Sequence, residues 1–300
     1  MKRWIKRGAW ALLVLVALGV AAVVVALQWA ERKAQRHIDL KPYALAVPAD
    51  AAAVTRGAYL FASRGCAECH GADAAGRVFV EDPQAGLKVR GPNITPGGVV
   101  IGYEPADWER AIRHGVGRDG RPLRIMPSED YNRYTDADAG ALVAYLRQLP
   151  AVDGGAAELQ FPVPMRVLYA FGAIPDAAEK IDHARPPSQP VPEAVDTAHG
   201  AYVANMCIGC HGSGLSGGKI PGGPPDWPVA ANLTPGAGSA MPAYAEAAAF
   251  ARMMRTGLRP DGRPVSPVMP FGALSKMSDV DLQALHAYLK TLAPRAAGGR

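Results

Sequence analysis

The most pronounced feature of the hydropathy pattern is a single apolar run near the start of the chain. From Gly8 to Ala30 there are 23 residues without a charged side chain, and basic residues stand on both sides. A helix rises about 1.5 Å per residue, so this run is long enough to cross a hydrocarbon core of about 30 Å. Residues 1–36 are therefore predicted to form one N-terminal transmembrane helix, a membrane anchor with basic flanks.

The alternative for this segment is a secretory signal that is removed. The apolar region of such signals normally has about 7 to 15 residues, and the best small-residue cleavage site here, Val24 and Ala26, is poor. More basic residues precede the run than follow it, which predicts a cytoplasmic N-terminus. We expect a single-pass protein of the cell inner membrane, with everything beyond residue 36 in the periplasm.

Beyond the anchor, the apolar positions follow the period of a helix. Two stretches carry apolar residues at i, i+3, i+4 and i+7, beginning at Leu142 and at Leu285. Thr135 and Ser278 precede them as predicted N-caps, each with an aspartate three residues later. Another helix is predicted from Pro105 to the residue before Gly115, and its counterpart ends before Gly257. No stretch alternates long enough to predict a strand, so the fold class is all-α.

The sequence repeats itself with offsets of 139 to 143 residues. Two copies of one unit are therefore predicted, a first domain at 50–150 and a second at 198–295, joined by a proline-rich linker at 151–197. The apolar part of this linker, residues 161–171, is expected to lie against the first domain. The repeated segments include Gly57-Ala-Tyr and Gly200-Ala-Tyr, Asn93-Ile-Thr-Pro and Asn232-Leu-Thr-Pro, Asp119-Gly-Arg-Pro and Asp261-Gly-Arg-Pro, and Met126-Pro and Met269-Pro.

Composition and charge exclude several classes of protein. The 49% hydrophobic content excludes a wholly disordered chain, and the 33 Gly and 27 Pro have no three-residue period, which excludes collagen. The net charge of +5 lies at one end, because the clusters flanking the apolar run contribute +4 and +2. The rest of the chain has a net charge of −1, so nucleic-acid binding is excluded.

All four cysteines of the chain lie in two Cys-x-x-Cys-His units, Cys66 to His70 and Cys207 to His211. Two thiols at this spacing can reach both vinyl groups of one haem as thioethers, and the adjacent imidazole is then held against the iron. This is a signal for covalent haem c attachment, and its duplication predicts two haems. A zinc site or a redox dithiol is the alternative, but zinc would need further ligands from elsewhere.

A sixth iron ligand is needed if the haem carries electrons, and methionine and histidine are the candidates. In the first copy these are Met126 and His114. Met126 aligns with Met269, whereas His114 aligns with Thr256, so the repeat predicts His70/Met126 and His211/Met269 coordination. The second copy also contains four methionines that are interpreted as core filler: Met241, Met253, Met254 and Met277.

Four further side chains of the first copy are candidates for contact with haem propionates: Asn93, Trp108, Arg113 and Arg124. The alternative for each is loop hydrogen bonding or a place on a solvated helix face.

With these motifs in view, the chain resembles multihaem c-type cytochromes with class I cytochrome c domains, and more narrowly the cytochrome subunits of membrane-bound periplasmic alcohol- and gluconate-type dehydrogenases. The likeness covers about residues 50–295. It implies two tandem class I cytochrome c domains behind one N-terminal transmembrane helix. It further implies that Cys66, Cys69, Cys207 and Cys210 bind haem covalently and that His70, Met126, His211 and Met269 are axial ligands.

The function expected from the sequence is that of a membrane-anchored dihaem electron carrier rather than an enzyme. Its donor would be a periplasmic dehydrogenase or a quinol-oxidising complex, and its acceptor an oxidase or a soluble cytochrome. Two alternatives stay open: a dihaem enzyme, either a peroxidase or an oxidase of small sulfur compounds, and the dihaem subunit of a haem-copper oxidase.

Overall fold

The computed structural model describes residues 2–224 and 226–299. Its first element is a long helix, α1 (Lys2–Ala34), at the position of the predicted anchor. Most of its side chains are exposed, but Ala26 and Ala30 near its C-terminal end are buried. Helix α1 is long and apolar enough to span a membrane, as the hydropathy pattern predicts.

The first domain is built on α2 (Ala51–Ser63), α3 (Cys66–His70), α4 (Pro105–His114) and α5 (Asp136–Gln148). The predicted boundaries of α4 and α5 are confirmed: Gly115 ends α4 in the left-handed conformation, and Thr135 caps α5 by accepting a hydrogen bond from the Asp138 backbone. Helices α2 and α5 pack closely because Gly57 lies against the Ala141 carbonyl, where a Cβ atom would collide. This contact explains the repeated Gly-Ala-Tyr segment.

The predicted, mainly helical fold is confirmed, but the first domain also has a minor sheet that was not predicted. A small antiparallel sheet consists of β1 (Val78–Asp82), β2 (Leu87–Arg90) and β3 (Glu158–Gln160), in the order β1, β2, β3. A tight turn at Gly86 joins β1 to β2, and β3 comes from the linker. These strands have three to five residues, too short for an alternating pattern to be recognised.

The second domain repeats the helical plan. It contains α8 (Thr197–Val203), α9 (Ile208–His211), α10 (Ala247–Thr256), α11 (Phe271–Leu274) and α12 (Asp279–Thr291), and a 3-10 turn at Ala204–Cys207 leads from α8 into α9. Gly257 ends α10, and Ser278 caps α12 through the Asp281 backbone, both as predicted. Helices α8 and α12 pack as α2 and α5 do, with Gly200 against the Ala284 carbonyl.

The linker is more ordered than its proline content indicates. It contains β3 and two helices, α6 (Val163–Ala170) and α7 (Ala177–Lys180). The expectation that residues 161–171 lie against the first domain is met only in part. Phe161 lies under the Arg124 guanidinium of that domain, but α6 packs on the C-terminal end of α1. Helix α6 therefore packs on α1 more than on the first domain.

The two domains meet through reciprocal tyrosine contacts. Tyr59 of the first domain donates to Asp281 and accepts from the Ser278 backbone at the start of α12. Tyr202 of the second domain donates to Asp138 at 2.7 Å and accepts from the Thr135 backbone at 3.3 Å. Equivalent residues of the repeat thus cross the interface in both directions, so the domains face each other with approximate two-fold symmetry.

Candidate functional site

A cavity of about 800 Å³ opens in the second domain. All four second-domain residues singled out by the repeat line it: Cys207, Cys210, His211 and Met269. The rest of its wall is mainly apolar, with Phe250, Leu285 and Leu289 among the contributors. The cavity combines the volume, the apolar wall, the thiol pair, the imidazole and the thioether that a haem c group requires, so these residues fit that group.

One side of this cavity is supplied by the first domain. Arg64, Gly65 and Glu68, next to or within the Cys66–His70 unit, line it together with Asp130 and Tyr131. The element that would attach one haem therefore forms part of the wall around the other.

Asp130 joins the first domain directly to the second attachment segment. Its Oδ1 accepts a hydrogen bond of 2.8 Å from the backbone N–H of Gly209, which lies between Cys207 and Cys210. Burial, with the neighbouring Glu129 adding to it, raises the pKa of Asp130 to about 8. A side chain at position 209 would displace this carboxylate, so glycine allows the close approach.

The histidine of each unit is oriented by a backbone carbonyl. His70 Nδ1 lies 2.9 Å from the Pro92 carbonyl oxygen, and His211 Nδ1 lies 2.8 Å from that of Ala231. A carbonyl can only accept, so Nδ1 carries the proton in both rings and Nε2 is the coordinating nitrogen of this tautomer. Burial lowers the pKa of His70, which favours the neutral imidazole that a metal ligand must be.

In the first domain, Cys66 and Met126 pack against one apolar cluster that includes Leu60, Phe61 and Trp108. Cys66 opens α3, and Gly65 before it adopts a left-handed conformation that a larger residue would strain. The structure thus places the thiol and the thioether of the first copy at the same apolar centre.

The cysteines do not have the character of a zinc site or a reactive dithiol. Burial raises the pKa of Cys66 to about 12, of Cys69 to about 11 and of Cys207 to about 12, so these thiols are protonated at neutral pH. An attacking thiol must be a thiolate, so this burial disfavours a reactive dithiol. Among the described residues, no group of three or more His, Cys, Asp or Glu side chains is arranged to hold a metal ion.

The four candidates for propionate contact all have protein partners in the structure. Asn93 is fully buried and its amide donates to the Val152 and Gly154 carbonyls, so it fixes the chain after α5. Arg113 donates to the Tyr134 carbonyl and to Asp136. Trp108 packs edge-on against Tyr103, and Arg124 covers Phe161. Trp108 and Arg113 are buried, so they do not lie on a solvated helix face, and contact of these side chains with haem propionates stays a prediction.

His114, the alternative to Met126 as an iron ligand, and the methionines interpreted as core filler lie in different places. His114 lies 3.0 Å from His183 of the linker and 3.2 Å from Glu109, at a distinct polar cavity. Met241, Met253, Met254 and Met277 are buried in the second apolar cluster. Three of them, Met241, Met253 and Met254, also line the 800 Å³ cavity with Met269. The sequence repeat therefore remains the argument that selects Met269 among these thioethers.

The residues that join the two domains were not singled out from the sequence. Arg64 and Asp281 form an ion pair whose side chains are 3% and 0% exposed, and His199 Nε2 lies 2.7 Å from the same aspartate. In the first domain, Arg56 and Asp138 take the places of His199 and Asp281. The repeat of Tyr59 as Tyr202 and of Asp138 as Asp281 was the available signal.

Comparisons with known proteins assign both halves of the chain. Residues 52–146 match the family described as "Cytochrome C oxidase, cbb3-type, subunit III", and residues 196–293 match the family described as "Cytochrome c". The chain contains two cytochrome c-type domains. Cytochrome c domains imply covalently bound haem c, which agrees with the fit of the second-domain cavity.

Similar proteins carry cytochrome names. The chain is 27% identical to the fructose dehydrogenase cytochrome subunit of Gluconobacter japonicus, over 82% of this chain and 54% of that protein. It is 36% identical to the cytochrome c subunit of the quinone alcohol dehydrogenase of Gluconacetobacter polyoxogenes, over 32% of this chain and 22% of that protein. The identity is also 36% with the gluconate 2-dehydrogenase cytochrome c subunit of Pantoea cypripedii, over 32% and 23%. The chain thus spans about half the length, or less, of these relatives.

Proposed function

We propose that the protein is a membrane-anchored dihaem electron carrier in which each cytochrome c domain holds one haem c. The first would be held by Cys66, Cys69, His70 and Met126, and the second by Cys207, Cys210, His211 and Met269. The observation that carries the proposal is the 800 Å³ cavity that brings the whole second set together. Haem c supplies one-electron chemistry when bound.

The protein residues have three tasks in this proposal. The cysteines fix the group covalently, and the Pro92 and Ala231 carbonyls fix the orientation of His70 and His211. Met126 and Met269 would hold the iron through their thioethers, and this soft ligand would favour the ferrous state and keep small molecules away. The apolar walls would exclude water from the haem, and this too would favour the ferrous state and raise the reduction potential.

The names of the relatives support a place in a dehydrogenase complex. Three of them are cytochrome subunits of a fructose, an alcohol and a gluconate dehydrogenase. We infer that a periplasmic dehydrogenase of this kind, or a quinol-oxidising complex, donates the electrons, and that an oxidase or a soluble cytochrome accepts them.

We infer a retained anchor in the inner membrane over a cleaved signal, because the uncharged run of 23 residues is longer than the apolar region of ordinary signals, about 7 to 15 residues. Ala26 and Ala30 are buried, and Lys33 donates to the Tyr169 carbonyl at 2.8 Å. Arg36 forms a bidentate pair with Asp176, whose side chain is fully buried. Ala30, Lys33 and Arg36 follow the weak cleavage site at Ala26, so these contacts fix the end of α1 on the linker and do not themselves decide whether the segment is retained.

Three measurements on the protein made in cells competent in cytochrome maturation test the proposal. Intact mass should exceed that of the polypeptide by two haem groups and should include residues 1–36. The ferric spectrum should show the weak far-red band of methionine-ligated low-spin haem. The protein should stay with the membrane fraction in high salt. A colourless product, one haem, or release by salt would contradict the proposal.

A second candidate is the dihaem subunit of a haem-copper oxidase. The observation that favours it is the match of residues 52–146 to the family of subunit III of cbb3-type oxidases. Purification of the tagged protein from membranes in mild detergent separates the candidates. A flavin- or quinone-containing dehydrogenase in the complex supports the first, and a copper-containing subunit supports the second.

A further inference from the structure

The end of α6 carries an apolar surface next to the anchor. Leu168 and Phe171 are 46% and 64% exposed and lie three residues apart, so they share one side of the helix. Trp29 of α1 is also exposed, and its ring packs edge-on against Phe171 at 5.8 Å between centroids. Leu168, Phe171 and Trp29 together form what we call the anchor-side patch.

The level of this patch relative to the membrane follows from its contacts along α1. Tyr169 lies beside Lys33, whose ammonium is 4.5 Å from the centre of its ring, whereas Phe171 lies beside Trp29, one turn earlier in α1. The end of α6 therefore runs back along α1 towards the apolar run Gly8–Ala30. Phe171 reaches the level of that run, and Tyr169 stays at the level of the basic flank.

We propose that the anchor-side patch is immersed in the outer surface of the lipid bilayer, so that α6 and α1 together seat the first domain on the membrane. This inference rests on the proposed membrane anchoring. A bilayer is the occupant that the geometry favours, because the patch is continuous with the helix that spans it and holds the aromatic rings that settle at membrane interfaces.

The consequence is a fixed orientation of the first domain. Arg36 and Lys33 tie the end of α1 to Asp176 and Glu179 of the linker, with the Lys33 pair at 2.9 Å. Arg124 and Ile125, which directly precede Met126, line a small cavity together with Ala30 of α1 and Met165 of α6. The loop that carries Met126 is therefore on the membrane side of the domain.

Photolabelling of the full-length holoprotein in phosphatidylcholine vesicles tests this proposal. The vesicles contain a lipid with a diazirine on the acyl chain close to the headgroup, and labelled peptides are identified by mass spectrometry. Peptides from α1 and those containing Leu168 and Phe171 should carry the lipid. A peptide containing Leu258, which is also 46% exposed but lies in the second domain, is the matched control and should carry none.

A double variant, Leu168→Gln with Phe171→Gln, should lose labelling at α6 while α1 remains labelled and the haem spectrum is unchanged. Labelled α1 with unlabelled α6 in the unmodified protein would overturn the proposal and leave the anchor intact, and equal labelling of the Leu258 peptide would also overturn it. Unlabelled α1 would refute the anchor, and this inference with it.

Discussion

The two cytochrome c domains share one scaffold but fill it with different side chains. The apolar cluster of the first domain is rich in aromatic rings, among them Phe61, Trp108, Tyr131 and Tyr134. The cluster of the second is rich in methionine: Met241, Met253, Met254 and Met277. The scaffold therefore constrains helix packing and caps closely, as at Gly57 and Gly200, while the filling around the candidate haem sites is free to differ.

A second difference lies at the interface between the domains. Asp138 and Asp281, in the first turns of α5 and α12, each accept from a tyrosine of the opposite domain, but only Asp281 also pairs with a buried arginine from that domain, Arg64. Asp138 instead pairs with Arg56 of its own domain, whose side chain is 24% exposed. The position equivalent to Arg64 is Asn205. The interface is symmetric in its tyrosines and asymmetric in its charges.

The largest effect is expected from replacing the two proposed iron-ligating methionines, one in each domain. Met269→Ala and Met126→Ala should each leave both haems attached but create one iron that binds carbon monoxide, in the mutated domain alone. Carbon monoxide difference spectra of the reduced protein measure this. Met241→Ala is the matched control, because Met241 lines the same cavity as Met269. If Met241→Ala opens the iron and Met269→Ala does not, the assignment is wrong.

The next largest effect is expected from removing Asp281, and it is compared with the removal of Asp138. Asp281→Ala leaves the buried Arg64 without its partner and should lower the free energy of unfolding by about 3–5 kcal/mol. Asp138→Ala removes a more exposed pair and one tyrosine hydrogen bond, and should cost about 1–2 kcal/mol. Guanidinium unfolding of the holoprotein measures both. Equal losses would show that Arg64 contributes no asymmetry.

The same comparison predicts a dependence on pH. Burial alone would raise the pKa of Asp281, but Arg64, Tyr59 and His199 outweigh burial and hold the pKa below its usual value. The resulting stabilisation is present above the unfolded-state pKa of about 4 and is lost as the pH falls further. Thermal unfolding at a series of acidic pH values should show this loss in the unmodified protein and a flatter profile in Asp281→Asn. A profile that does not change would contradict the role of Asp281.

The smallest effect is expected from removing the hydroxyl of each interface tyrosine, and its size should differ between the two. Tyr59→Phe and Tyr202→Phe each remove one hydroxyl from the interface and should cost about 1 kcal/mol. The loss should be larger for Tyr59, because its acceptor Asp281 is fully buried. Tyr145→Phe, whose ring packs on Phe61 within the first domain, is the control. A control loss as large as the others would show that these costs do not come from the interface.

The parts of this molecule that depend on neighbours along the chain could be predicted from the sequence. Helix ends at Gly115 and Gly257 and caps at Thr135 and Ser278 follow from local geometry, and they are confirmed. The cross-domain contacts could not be predicted. The repeat draws attention to Tyr59 and Tyr202 and to Asp138 and Asp281. It does not show whether each tyrosine pairs with the aspartate of its own copy or with that of the other copy, because both pairings use the same residue types.

The packing of α6 on α1 could not be predicted from the sequence either. The apolar run from Phe161 to Phe171 shows that the segment needs a partner, but the first domain and the anchor offer equally apolar surfaces. The deciding contacts are long-range ones, such as Arg36 with Asp176, and these depend on the folded positions of elements more than a hundred residues apart. For the candidate haem sites, the residues were predicted from the sequence. The contribution of first-domain residues to the wall of the second-domain cavity is visible only in the structure.

The reciprocal tyrosine contacts bear on how a two-domain chain of this kind can arise. Each side of the joint offers the same residue, Tyr59 or Tyr202, to the same place on its neighbour, the start of α5 or α12. A surface of this type is self-complementary, as in a symmetric homodimer. A gene for one such lobe already encodes both halves of the joint, so duplication and fusion yield the arrangement without inventing a new surface, and Arg64 could then be added on one side only.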